Sequence, residues 1–173
     1  KDIEYLLNEF SDFARMPKPV LKKVDLNKII SRSANLHELA ETGINFILPK
    51  EKLSNSINGD EEQLNRVFIN LIKNSIESIH EKKSKNADFK GKIDVDIRSD
   101  SDYIYVTIID NGVGFSQIDK RKMLTPYFTT KKKGTGLGLA VVTKVINDHN
   151  GLSTFVSVSD GAKVEIKLPK YYE

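Results

Sequence analysis

Two asparagines, one aspartate and a run of glycines are the residues whose types and spacing could do chemistry here. Asn70 and Asn74 lie in Asn70-Leu71-Ile72-Lys73-Asn74-Ser75-Ile76-Glu77. On a helix, residues four apart stack on one face. Arg66, Lys73 and Glu77 share that stripe, so a solvated polar face is the ordinary reading. Asparagine, however, holds a helix less well than Lys, Glu or Gln. Two stacked amides offer neutral oxygens to a hard cation such as Mg²⁺ carrying phosphates.

Asp110-Asn111-Gly112-Val113-Gly114-Phe115 follows a β-branched run. Asp-Asn-Gly is ordinary turn chemistry, but one turn rarely needs two glycines flanking an apolar residue. Paired glycines permit positive φ and close approach of backbone to a ligand. An aspartate at a strand end, beside apolar residues, can accept a hydrogen bond from an amino group. That chemistry selects adenine, whose exocyclic group donates where guanine presents a carbonyl.

The third group is Thr129-Thr130-Lys131-Lys132-Lys133-Gly134-Thr135-Gly136-Leu137-Gly138-Leu139. Three lysines lead into three alternating glycines and then into a helix. Glycine-rich backbone at a helix N-terminus cradles phosphate through free N–H groups and the helix dipole. A flexible basic linker is the alternative, and it leaves unexplained why the glycines abut an amphipathic helix. The run lacks the P-loop pattern, and Leu139 breaks G-x-G-x-x-G, so Rossmann and protein-kinase glycine loops are excluded.

The elements that must position these groups follow from periodicity. Ile3, Leu6, Leu7, Phe10, Phe13 and Ala14 predict a helix over 1–14, stopped by Met16-Pro17-Lys18-Pro19. An apolar stripe starting at the first residue suggests a longer helix that would pack against a partner such as a second copy. Asp25 is the expected N-cap of a helix reaching about Thr42, with Gly43 as its stop. Strands are expected at 44–48 and 52–58. Asp60, with Gln63 completing a capping box, opens the strongest helix. Its buried face is Leu64, Val67, Phe68, Leu71, Ile72, Ser75 and Ile79. Lys82–Lys90 reads as a loop. Residues 93–97 and 103–109 alternate as strands around a turn at 99–102. Residues 111–136 are mostly loop, with a short helix over 116–123. A helix from about Thr135 to Asp148 is stopped by Asn150-Gly151, and a last hairpin spans 152–158 and 162–168. The fold class is therefore α+β: a two-layer sandwich with a mixed, mainly antiparallel sheet and helices on one face.

Composition narrows the function classes. The chain has 173 residues, and its 27 Lys and Arg against 24 Asp and Glu give a net charge of only +3, too small and dispersed for a nucleic-acid binder. There is no cysteine, which removes disulfides, thiolate metal sites and thiol catalysis. No apolar run is long enough to span a membrane. Because the chain opens on Lys1 and lacks a secretory signal, it is expected to be a piece of a longer protein.

Each group alone is weak, but together, in this order, they are specific. The chain resembles the ATP-binding catalytic domain of bacterial sensor histidine kinases, the GHKL or HATPase_c superfamily shared with DNA gyrase, Hsp90 and MutL. Asn70–Glu77 resembles its N box, Asp110–Gly114 its G1 box, Pro126-Tyr127-Phe128-Thr129 its F box and Gly134–Gly138 its G2 box. The stretch Glu9–Pro17 is similar to the end of the second dimerisation helix in nitrogen-regulation sensors of the NtrY type.

The resemblance implies a Bergerat-type sandwich: residues 1–20 as dimerisation-helix end and linker, and 21–173 as the ATP-binding domain. It implies ATP and Mg²⁺ as cofactors. Asp110 would take the adenine amino group, and Val113 would help floor the adenine between Gly112 and Gly114. Asn70 and Asn74 would hold Mg²⁺, with Lys73 a lesser phosphate contact. A lid from about Met123 to Gly136 would be anchored by Tyr127 and Phe128. Thr130, Lys131, Lys133, Gly134, Thr135, Gly136, Leu137 and Gly138 would complete the nucleotide contacts.

Hydrolytic relatives carry Glu where this chain has Asn70. An amide cannot take a proton from water, so weak hydrolysis is expected and the γ-phosphoryl is kept for a histidine. That histidine is absent. Of His37, His80 and His149, none sits in the H-E/D-x-x-[NT]-P pattern. His37 reads as helix surface, His80 as a helix end, and His149 as a helix C-terminus where a cation is favoured. Many relatives also place Thr where this chain has Ala162, which removes one hydroxyl from beside the adenine-binding Asp.

The expected partners are the protein's own dimerisation and phosphoacceptor domain and a response-regulator receiver domain, not nucleic acid. The parent is expected to be a homodimer anchored in the bacterial inner membrane, with this domain cytoplasmic. The alternatives are a hydrolytic GHKL ATPase clamp and a non-catalytic nucleotide-binding or docking module.

Overall fold

The computed structural model describes residues 4, 7, 8, 11, 13–38, 41, 43–49, 55–115, 125–126 and 136–172. The described residues among 4–14 are helical, as expected, and the chain leaves helix at Arg15, just before Pro17. The expected short helix at 116–123 and most of the expected lid lie outside the described residues.

The order of elements is β1 (Lys22–Asp25), α1 (Leu26–Glu38), β2 (Ile44–Ile47), β3 (Ser56–Gly59), α2 (Glu61–Lys85), β4 (Gly91–Ser99), β5 (Tyr103–Asp110), α3 (Gly138–Asp148), β6 (Leu152–Val158) and β7 (Gly161–Pro169). The main sheet has the order β2-β4-β5-β7-β6. Only β2–β4 is parallel there; the other three pairings are antiparallel. This is the mixed, mainly antiparallel sheet that the hairpin spacing predicts.

Alternation decides which face is covered. Ile93 and Val95 of β4, Ile104, Val106 and Ile108 of β5, and Val164, Ile166 and Leu168 of β7 are buried against the apolar faces of the three helices. The residues between them are exposed or half-buried, apart from Thr107, which is buried. Arg98 and Glu165 pair across β5 at 3.2 Å, so the helices occupy one face and charged ladders the other.

Four expectations about boundaries need correction. First, β1 was not foreseen: a short lysine-rich segment pairs antiparallel with β3 as a separate two-stranded sheet. Second, α2 does not end near Lys82 but runs on to Lys85. A Glu81–Lys85 ion pair at 3.1 Å supports its last turn, and Lys82 is held by tertiary contacts. Third, α3 starts at Gly138, not near Thr135, because Gly136 has φ +71°, outside the helical region.

The fourth correction concerns the caps. Asp60 caps α2 as expected, accepting from the Glu62 and Gln63 N–H groups. Gln63 does not reciprocate: its amide donates to the Pro17 carbonyl at 3.0 Å. The Asp60 N–H goes instead to Nε2 of His149 at 2.9 Å. His149 is thus buried at 3% exposure, with Nδ1 2.8 Å from the Val145 carbonyl, and is not a solvent-facing cation. A ring that accepts at Nε2 and donates at Nδ1 is the neutral tautomer. At the end of α3, Asn150 (φ +57°), not Gly151, takes the left-handed position, and the Gly151 N–H closes on the Ile146 carbonyl at 2.8 Å.

Candidate functional site

Helix α2 crosses beneath the C-terminal end of β5 and beside the start of α3. Asp110 is the last residue of β5 and is 6% exposed. Its Oδ1 accepts the Gly112 N–H at 2.9 Å, and its Oδ2 accepts the Ser75 hydroxyl of α2 at 3.1 Å. Burial pushes its pKa up; the Gly112 and Ala162 N–H groups and Ser75 pull it partly back. Ser78 Oγ is near enough to favour the charged carboxylate, yet it is buried and has no partner at hydrogen-bond geometry. The hydroxyl that Asp110 accepts comes from the helix side, from Ser75.

The two loop glycines do different things. A Cβ on Gly112 would stand 2.3 Å from Ser78 Oγ and 2.6 Å from the Ser78 backbone, so the close approach Gly112 permits is to α2 rather than to a ligand. Gly114 does need its left-handed φ of +73°, and a Cβ there would meet the Gly161 carbonyl at 2.6 Å. Val113, between them, is 42% exposed.

Asn70 and Asn74 emerge from α2 one turn before and level with Ser75, and both are half-buried. They face Gly138, the first residue of α3. A Cβ built there would lie 3.6 Å from Asn70 Oδ1 and 3.7 Å from Asn74 Nδ2. Leu137 occupies the N-cap position of α3, where its apolar side chain makes no capping hydrogen bond, and is 1% exposed. The structure therefore brings the N-terminus of α3 onto a pair of amides on α2, the helix whose Ser75 holds the buried Asp110 carboxylate. Helix N-termini of this kind offer free N–H groups to an anion such as phosphate. Among the described residues no group of three or more His, Asp or Glu could hold a metal; the Asn70 and Asn74 amides offer neutral oxygens of the kind a hard cation takes.

Of the expected site residues, the structure sets Gly138 against Asn70 and Asn74, and holds Asp110, Gly112 and Val113 on Ser75 and Ser78 of the same helix; Gly114 packs on Gly161 instead. Lys73 is on the same helix and exposed. Tyr127, Phe128, Thr130, Lys131, Lys133, Gly134 and Thr135 lie outside the described residues. Sequence reasoning missed Ser75, counted only as part of the apolar face, and Lys82, assigned to a loop. Two serines three apart on a buried helix face were the available signal.

Comparison with known proteins identifies the family. The family model for histidine kinase-, DNA gyrase B- and HSP90-like ATPases matches residues 59–172. Nitrogen regulation protein NtrY of Azorhizobium caulinodans is 33% identical over 96% of this chain and 21% of its own length. Sporulation kinase A of Bacillus subtilis is 35% identical over 97% of this chain and 27% of its own length. The chain thus spans about a fifth to a quarter of these relatives. The catalytic domain of histidine kinase ThkA superposes with a TM-score of 0.73 at 25% identity, covering 87% of this chain and 95% of that one. ThkA in complex with response regulator protein TrrA shares the fold, at TM-score 0.78 and 21% identity over 98% of this chain and 47% of that one. The chain belongs to the histidine kinase-, DNA gyrase B- and HSP90-like ATPase family, as a catalytic domain of the sensor histidine kinase kind.

Proposed function

We propose that this chain binds ATP with Mg²⁺ and presents the γ-phosphoryl to a histidine on the dimerisation domain of its parent, for relay to a response-regulator receiver domain. The observation that carries this reading is the placement of Gly138 and the α3 N-terminus on the Asn70 and Asn74 amides, beside the buried Asp110. Asp110 would accept from the adenine amino group. The Gly136–Gly138 backbone would meet the phosphates. Asn70 and Asn74 would hold Mg²⁺, which neutralises phosphate charge as the transfer proceeds.

In the transfer, an imidazole nitrogen would attack the γ-phosphorus, the bond to the bridging oxygen would break, and ADP would leave. None of this chain's own histidines suits that role. His149 is buried with both ring nitrogens engaged. His80 pairs with Glu41 at 2.9 Å. His37 Nε2 is buried without a partner. The acceptor would therefore come from the parent's dimerisation domain, in a membrane-anchored homodimer of the NtrY kind. Asn70 disfavours the hydrolytic-clamp alternative, because no carboxylate stands where the water-activating base would be.

The test is calorimetric titration of the chain with Mg·ATP and Mg·GTP, alongside Asp110→Asn. ATP binding that is absent with GTP and lost in the variant is expected. Equal binding of ATP and GTP, or full ATP binding by Asp110→Asn, refutes the assignment of Asp110. No binding of either nucleotide favours the docking-module reading.

A further inference from the structure

Lys82 is on α2 two turns beyond Ser75, so Ser75, Ser78 and Lys82 form one stripe along the helix at i, i+3 and i+7. Its ammonium donates to the Asn111 carbonyl at 2.8 Å and to the Gly112 carbonyl at 3.3 Å. It also pairs with Asp160 in the β6–β7 turn and lies 4.7 Å from the centroid of the Phe89 ring. Two successive carbonyls thus converge on one cation. Without it their dipoles would repel, and the loop would have to turn one of them away.

In a trans peptide the N–H points opposite to the C=O. Holding the Asn111 carbonyl on Lys82 therefore aims the Gly112 N–H at Asp110 Oδ1, where it stands at 2.9 Å. Holding the Gly112 carbonyl there aims the Val113 N–H at the Ser78 carbonyl, at 3.3 Å. The carboxylate of Asp110 is thus gripped at one oxygen by Ser75 directly and at the other by Lys82 through a peptide unit.

We propose that Lys82 is a positioning residue of the nucleotide site: it orients the Asp110 carboxylate through the Asn111 and Gly112 peptide units and so sets affinity and base selectivity for adenine nucleotides. This rests on Asp110 as the acceptor of the adenine amino group. Lys82 touches no nucleotide itself.

The experiment uses this chain, with Mg·ATP and Mg·GTP titrations and the backbone amide resonance of Gly112. Lys82→Met keeps the aliphatic stem over Phe89 and removes the cation. It should unfold cooperatively, bind ATP about tenfold more weakly, lose ATP-over-GTP preference by the same factor, and shift the Gly112 amide upfield. Asp160→Asn removes the exposed ion pair and leaves the carbonyl contacts; it should change ATP affinity by less than about threefold. Wild-type affinity and an unmoved Gly112 resonance in Lys82→Met would overturn the proposal. So would an Asp160→Asn defect as large as that of Lys82→Met, because the ion pair and not the carbonyls would then be the working contact. Should Lys82→Met fail to fold, Lys82→Gln, which keeps a donor and drops the charge, is read by the same two criteria. If the unmutated chain binds no ATP, the functional reading fails, and the Gly112 resonance still reports separately whether Lys82 holds the peptide units.

Discussion

Gly138→Ala separates the fold from the site. The position has no left-handed φ, and the added methyl would meet Asn70 Oδ1 at 3.6 Å, Asn74 Nδ2 at 3.7 Å and Asn70 Cγ at 4.0 Å. These are ordinary contacts, so nothing among the described residues must shift. Alanine also restricts the unfolded chain more than glycine does. The variant should therefore be as stable as the parent or more so, by about 0.4–1 kcal/mol, which in a chain of this size is about 1–4 °C in Tm. Binding should move the other way. A phosphate oxygen held by the α3 N-terminus needs a donor at about 2.7–3.2 Å, and the methyl would occupy the gap between those N–H groups and the amides. Losing one charge-assisted hydrogen bond costs about 1.5–3 kcal/mol, or roughly tenfold to hundredfold in Kd.

Thermal unfolding and ATP titration of the same sample read both effects. Gly161→Ala is the contrast. There a Cβ would lie 1.9 Å from the Asp110 carbonyl at φ +110°, so stability and binding should fall together. A Gly138→Ala chain that binds Mg·ATP as well as the parent would refute the reasoning, because it would show that nucleotide does not use this gap.

Two further outcomes follow from the carboxylates. Ser75→Ala removes a bond that favours the charged form of Asp110; ATP affinity should fall about fivefold. Affinity should also weaken as pH drops through the raised pKa of Asp110, starting at a higher pH in the variant, as titrations across a pH series would read. Asp60 has the opposite sign. Burial pushes it up, but the Val20, Gln63 and Glu62 N–H groups together hold it below its usual 3.8. Its contribution to stability is present above that value and lost as pH falls through the lower folded pKa. Asp60→Ala should cost about 1–2 kcal/mol at neutral pH, and denaturant titrations should show the gap to wild type closing in acid.

What the sequence discloses is what burial imposes on apolar spacing. Helix α2 was legible because Leu64, Val67, Phe68, Leu71 and Ile72 must share one face, and the hairpins were legible because Ile93, Val95, Ile104, Val106 and Ile108 alternate. Asn70, Asn74, Asp110 and Gly138 stood out because each is a weak choice for the element it occupies. The misses are polar groups buried by distant partners. Lys82 in a lysine-rich stretch looks like solvent-exposed loop until the Asn111 and Gly112 carbonyls are brought to it from 29 and 30 residues away. His149 looks like an exposed helix end until the Asp60 N–H arrives from 89 residues away. Gly112 is required by the Ser78 backbone, a contact that exists only after the sheet docks on α2.

One helix therefore sets the geometry of the candidate site. The first turn of α2 is tied to the preceding segment through Val20 on Asp60 and Pro17 on Gln63, and to the end of α3 through His149. Its middle carries the amides that face the start of α3, and its second half grips the Asp110 loop through Ser75, Ser78 and Lys82. Side chains spaced along one hydrogen-bonded helix keep their separations, since a rise of about 1.5 Å per residue is fixed by the backbone. The distance between the group that would read the base and the groups that would hold the phosphates is thus built into α2. The tie at His149 completes the frame: it anchors the far end of α3 to the start of the same helix, while Val141, Val142, Val145 and Ile146 bury the rest of α3 in the core that α2 shares.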